Sequence, residues 1–166
     1  MAAWYECKIA YQKTLENDKV VKISELYLVD AVSFTDAETR IYKEFGELLG
    51  EFSLVSVKKP RITELVHNEE ATKWYRVKVN ITTLDEKSGK ESKTNQIILA
   101  TADNAKKAYD AVDELFSDSV SDYEIVEIVL TLIVDIFPFF EEEARNLKHI
   151  SEVREDVVAE VNEINE

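Results

Sequence analysis

Trp4-Tyr5-Glu6-Cys7-Lys8-Ile9-Ala10-Tyr11 and Trp74-Tyr75-Arg76-Val77-Lys78-Val79-Asn80-Ile81 are one stretch stated twice, at an offset of 70 residues. Both copies open on Trp-Tyr, both place a lysine four residues after the tryptophan, and both alternate thereafter. Alternation with period two marks a strand with one buried face. In the first copy it sets Tyr5, Cys7, Ile9 and Tyr11 on one face, and Trp4, Glu6, Lys8, Ala10 and Gln12 on the other.

Working outward, each copy continues in the same order. Glu16-Asn17-Asp18-Lys19 is a polar break suited to a hairpin turn, and residues 20–32 alternate again through Val21, Ile23, Tyr27 and Val29. Thr35-Asp36-Ala37-Glu38 reads as a capping box opening a helix whose stripe is Ala37, Ile41, Phe45 and Leu48, left at Gly50. Phe52 to Val57 reads as a third strand that Ile62 to Val66 continues beyond Lys58-Lys59-Pro60-Arg61. In the second copy, residues 85–90 form the hairpin loop with Gly89 in the turn, and residues 92–101 the return strand. Asp103 is the expected N-cap of a helix carrying Ala105, Ala108, Tyr109, Val112, Leu115 and Phe116. Tyr123 to Ile136 is the closing strand. It matches the first copy at an offset of 71, with Val129, Leu130 and Leu132 where the first has Lys58, Lys59 and Arg61. That difference predicts an edge strand in the first copy and a central or doubly covered one in the second.

The expected fold is therefore α+β: tandem duplicated ββαβ units with pseudo-twofold symmetry, an antiparallel sheet with helices on one side, and a C-terminal acidic helix. The first repeat spans 1–68, the second 69–140, and the tail 141–166. Leu147, Ile150, Val153, Val157, Val161 and Ile164 make an apolar stripe on the tail, for packing on its own body or for a partner or oligomer contact.

The 166 residues carry 45% hydrophobic and 33% charged residues, the balance of a folded protein with a real core. The formal net charge is −14, of which the tail contributes −6. Such a balance disfavours anionic membranes and nucleic acid at long range and favours basic partners or cations. The longest apolar run, Ile128 to Val134, is broken by Thr131 and far short of a membrane span. The N-terminus carries Trp, Tyr and Glu where a signal peptide would have a basic region and an apolar run, so a cytoplasmic location is expected.

No phosphate-binding loop, dinucleotide turn, nucleophile elbow or zinc-helix motif is present, so no enzyme, no metal and no cofactor is expected. Cys7 is the single cysteine and alternates with core residues, so a disulfide and a thiolate cluster are excluded. His67 and His149 are the only histidines, both expected in solvent, and Glu141, Glu142 and Glu143 read as a solvated helix start. Binding signals are better. Trp4 and Lys8, with Trp74, Arg76 and Lys78, interleave aromatic and basic residues on strand faces, and Lys58, Lys59 and Arg61 extend the basic set. Such a face can stack bases and hold phosphates. The competing reading buries each tryptophan under the neighbouring unit.

Several segments together resemble an uncharacterised family of small proteins from Bacteroidetes genomes and their phages, including crAss-like phages. They are the Trp-Tyr openings, Tyr27-Leu28-Val29-Asp30-Ala31, Ser33-Phe34-Thr35-Asp36-Ala37-Glu38, Leu84-Asp85-Glu86-Lys87-Ser88-Gly89-Lys90, and Asp122-Tyr123-Glu124-Ile125 leading to Asp135-Ile136-Phe137-Pro138. The resemblance covers about residues 3–140 and implies a phage or prophage context without a site to carry over. The leading expectation is a non-enzymatic, phage-associated nucleic-acid-binding accessory protein for single-stranded DNA. The alternative is an acidic protein-interaction module or inhibitor that engages a basic host protein, with a homo-oligomer among its forms.

Overall fold

The structure is a computed structural model that describes residues 3–138. The expected C-terminal helix and its stripe, Leu147, Ile150, Val153, Val157, Val161 and Ile164, lie outside the described residues, as does His149.

The first Trp-Tyr stretch forms β1 (Ala3–Thr14), which returns through a tight turn as β2 (Val20–Ala31). α1 (Phe34–Leu49) follows, then β3 (Ser53–Lys58) and the short β4 (Glu64–Val66). The second half runs β5 (Trp74–Leu84), β6 (Glu91–Thr101), α2 (Ala105–Leu115), β7 (Asp122–Leu130) and β8 (Ile133–Phe137). The change of sequence offset from 70 to 71 has its place here. The first hairpin loop spans residues 15–19 and the second 85–90, one residue longer. Asp85 shapes the longer loop by accepting the Lys87 backbone N–H at 3.0 Å and the Ser88 hydroxyl at 2.9 Å. Those bonds, the Lys87 one first, hold its carboxyl below the usual range. Gly89 takes φ +68° there, a conformation that favours glycine.

The strands make two four-stranded sheets, ordered β3-β1-β2-β8 and β4-β6-β5-β7. Two expectations about the closing strands need correction. Each is broken in two, and its second piece leaves for the other sheet: β4 pairs in parallel with β6, and β8 in parallel with β2. Both sheets are therefore mixed rather than wholly antiparallel. The breaks fall where backbone groups find new partners. Thr63 N–H donates to the Ile97 carbonyl at 2.8 Å, and the Thr131 backbone N–H and hydroxyl donate to the Trp74 carbonyl at 2.9 and 2.8 Å. The second correction concerns β7. Among the described residues it is an edge strand with β5 as its one neighbour, not a central strand.

One helix covers the outer face of each sheet. Beneath α1 lie Tyr5, Cys7, Ile9, Tyr27 and Val29; beneath α2 lie Tyr75, Val77, Val79, Ile98 and Ala100. The inner faces meet in a third cluster of Leu28, Trp74, Leu99, Ile133 and Ile136, with Trp4 packed against it. The order is helix, sheet, sheet, helix. Helix starts are shifted slightly from expectation. Ser33, not Thr35, caps α1, accepting the Asp36 N–H at 3.1 Å while Asp36 accepts the Val32 N–H at 2.9 Å. Asn104, not Asp103, caps α2, accepting the Lys107 N–H at 2.9 Å. Asp103 instead pairs with the Lys107 ammonium at 2.8 Å. Of the expected stripes, Ala37, Ile41, Phe45, Ala108 and Val112 are buried, but Leu48 is 78% exposed because the neighbouring Leu49 takes the inward place.

Candidate interaction surface

The alternation of β1 and β5 sorts their side chains as expected, but both faces are used for packing. The face carrying the tryptophans is the one between the sheets. Trp74 is 2% exposed and lies against Leu28, Leu99, Ile133 and Ile136. His67, exposed as expected, lays its ring 5.3 Å from the Trp74 ring. Trp4 is partly buried on the same cluster. A base cannot stack on Trp74 without opening this core, so the expected aromatic platform lacks its second half.

The basic residues expected beside the tryptophans do reach water. Lys8, Lys58, Lys59, Arg61 and Arg76 are exposed, and Lys78 is half-buried. They are not a uniform cationic face. Arg76 sits 3.4 Å from Glu127 across the β5–β7 register, and Glu6 occupies the position in β1 that Arg76 holds in β5. Lys59 lies 5.9 Å over the ring of the buried Tyr5, a cation–π contact in the first half.

A different surface stands out on β7 and the crossover to β8. Val126, Val129, Leu130, Leu132 and Val134 are all exposed, Leu130 to 53% and Leu132 to 85%. Val126, Val129 and Leu130 lie on β7, an edge strand among the described residues, Leu132 follows in the crossover, and Val134 is already on β8 in the other sheet. Burying one such side chain fully is worth about 1.5–3 kcal/mol. Free apolar edges are usually blunted by charge, proline or a covering element. Asp122, Glu124 and Glu127 lie on the same strand, so the row is flanked by acid. Sequence reading missed this surface because an apolar run is read as buried; the absence of charge at 129, 130 and 132 was the available signal.

Among the described residues no three His, Cys, Asp or Glu side chains converge to hold a metal ion. Cys7 is wholly buried under α1, and burial, then the Glu6 charge, pushes its thiol up to about 11, so the thiolate nucleophile is suppressed. The exposed His67 ring lies against Trp74, whereas Cys7 lies beneath α1, so the two do not form a dyad. Glu25 accepts from Tyr11 at 2.7 Å and from Tyr27, a carboxylate bridge on the helix side of β2 that sequence reading did not single out. Its hydrogen bond raises the Tyr11 phenol, and burial followed by the same carboxylate raises Tyr27. Among the described residues no helix is long and apolar enough to cross a membrane.

The family model for a domain of unknown function, DUF4494, matches residues 3–139. No curated protein and no solved structure gives a match.

Proposed function

The chain belongs to the family of a domain of unknown function, DUF4494, and we propose a non-enzymatic protein-interaction module that docks an extended, basic partner segment on the free edge of β7. One observation carries this reading: Val129, Leu130 and Leu132 are exposed at the end of an edge strand where the first half has Lys58, Lys59 and Arg61. An added strand would take up the unpaired backbone groups of β7 and cover the aliphatic row, while Glu124 and the net charge of −14 select for lysine and arginine.

We take the two halves as copies of one ββαβ unit. In that reading the second copy's edge diverged to meet a partner while the first kept its charges. The resemblance of the motifs to small phage-borne proteins agrees with a partner in the host cytoplasm, engaged as an inhibitor would engage it. Single-stranded nucleic acid is the weaker reading, because it keeps the exposed lysines and arginines but loses stacking on Trp74.

The test is affinity capture at low ionic strength with the wild type beside a Val129→Lys, Leu130→Lys, Leu132→Arg variant. A host protein held by the wild type, released by salt and lost by the variant is the expected outcome. Equal capture by both proteins would sink the proposal.

A further inference from the structure

The layer between the two sheets is closed at the tryptophan end and open beyond it. Where the inner cluster stops, a cleft of about 460 Å³ begins. Its walls are Leu26 on β2 and Ile97 and Leu99 on β6, and its ends are Ile62 and Ile133, which lie at the entrances to the two exchanged strands. Glu6, Arg61 and Arg76 line it from positions in contact with water. The volume lies within the range of about 300–1,000 Å³ usual for small-molecule sites, and the composition follows the same pattern of apolar walls with a few polar groups.

We propose that this cleft binds a small aliphatic monocarboxylate, its chain against Leu26, Ile97, Ile62 and Ile133 and its carboxylate between Arg61 and Arg76. Charge complementarity decides the chemistry. Arg61 and Arg76 line the cleft with one carboxylate, Glu6, while Glu127 beside it pairs with Arg76, so Arg61 is the lining cation left for a ligand inside an otherwise acidic protein. Arg61 has no ion-pair partner among the described residues. The Arg76 contact to Glu127 is long and exposed, so it yields readily to a ligand carboxylate that a guanidinium can hold with two parallel bonds. Glu6 opposes a second negative charge, which favours a monocarboxylate over a dicarboxylate or phosphate. The cleft adjoins the free edge of β7, sharing Val129 and taking Thr131 from the same crossover, but its arginines and its aliphatic walls at Leu26, Ile97, Ile62 and Ile133 lie off that edge.

The experiment titrates octanoate into the full-length protein and follows tryptophan fluorescence, since Trp74 and Trp4 pack on the inner cluster that ends at the cleft. Thermal unfolding is recorded alongside. A saturable fluorescence change with a raised melting temperature is expected. It should weaken about tenfold for each of Arg61→Gln and Arg76→Gln, the loss of one charge-assisted contact, and be absent with octylamine. Ile97→Trp, which fills the cleft from one wall, should abolish it while the protein stays folded by circular dichroism. An unsaturable response, or equal affinity in the wild type and both glutamine variants, overturns the proposal. So does saturation by a peptide with the sequence of residues 141–166 when octanoate gives none, since the occupant would then be the chain's own acidic C-terminal sequence.

Discussion

β3 and β7 hold the same place in their sheets. Each is an edge strand paired antiparallel to the Trp-Tyr strand, each has its register shift at matching positions (Lys8/Ile9 and Lys78/Val79), and each passes the chain to the opposite sheet. Their ends differ in chemistry. β3 ends at Lys58 and is followed by Lys59 and Arg61, and β7 ends at Val129 and Leu130 and is followed by Leu132. The fold tolerates either, so the choice at these positions is not dictated by packing. Lysine on a free edge resists pairing with another chain, and an aliphatic row invites it. The same backbone geometry thus supports one charged edge and one aliphatic edge.

The largest effect is expected inside the comparison. Trp74→Ala should cost about 3–5 kcal/mol, the range for emptying a buried aromatic site, measured by urea unfolding. Trp4→Ala should cost about half as much, because Trp4 is partly exposed. Equal losses would mean that the inner layer is symmetric where the structure is not. Next, Lys58→Val, Lys59→Leu, Arg61→Leu should make both edges receptive, and light scattering should show association that grows with concentration. The reverse triple change on β7 should leave stability within about 1 kcal/mol of the wild type, as surface substitutions generally do. A much larger loss would show that the aliphatic row supports the fold itself.

Cys7 and Val77 occupy the same place in β1 and β5, which gives a pH test of the two halves. The folded thiol is raised from its ordinary 9.0 to about 11. Between those values the unfolded chain loses its proton first, so this group's contribution to stability is complete below 9.0 and is lost as pH rises toward 11. Cys7→Val should remove that part of the alkaline decline, seen as a shallower fall in denaturation midpoint than in the wild type. Parallel curves for the two proteins would contradict the burial. The smallest effects are at the helix starts. Ser33→Ala and Asn104→Ala should each cost about 1 kcal/mol, and a null result for one would mean that its helix start is held by tertiary contacts instead.

What could be read from the residues was local. Tyr5, Cys7 and Ile9 announced their face by alternation, Gly50 and Gly89 marked two of the positions with positive φ, the third being Asp18 in the first hairpin, and Ala37, Ile41 and Phe45 gave the helix its inward side. What could not be read was where a strand goes after a break. Lys58-Lys59-Pro60-Arg61 and Leu130-Thr131-Leu132 interrupt the ladder, but nothing local says that the next residues will pair with β6 or β2 across the layer. The burial of Trp74 follows from the same non-local fact, because only a second sheet can cover the face it stands on. The aliphatic row was misjudged for a related reason: Val129 and Leu130 look identical in sequence whether a strand is central or on an edge.

The exchange of β4 and β8 also ties the halves into a clasp. By chain order β4 belongs with β1–β3, yet its hydrogen bonds are to β6; β8 belongs with β5–β7, yet its hydrogen bonds are to β2. A cut in the link between β4 and β5 would leave two fragments, each missing one strand of its own sheet and carrying the strand the other lacks. Neither fragment has a complete fold, and each is the other's template. The peptide link between the halves is therefore a convenience of synthesis, and the two pieces supplied separately should find each other and restore one cooperative unit.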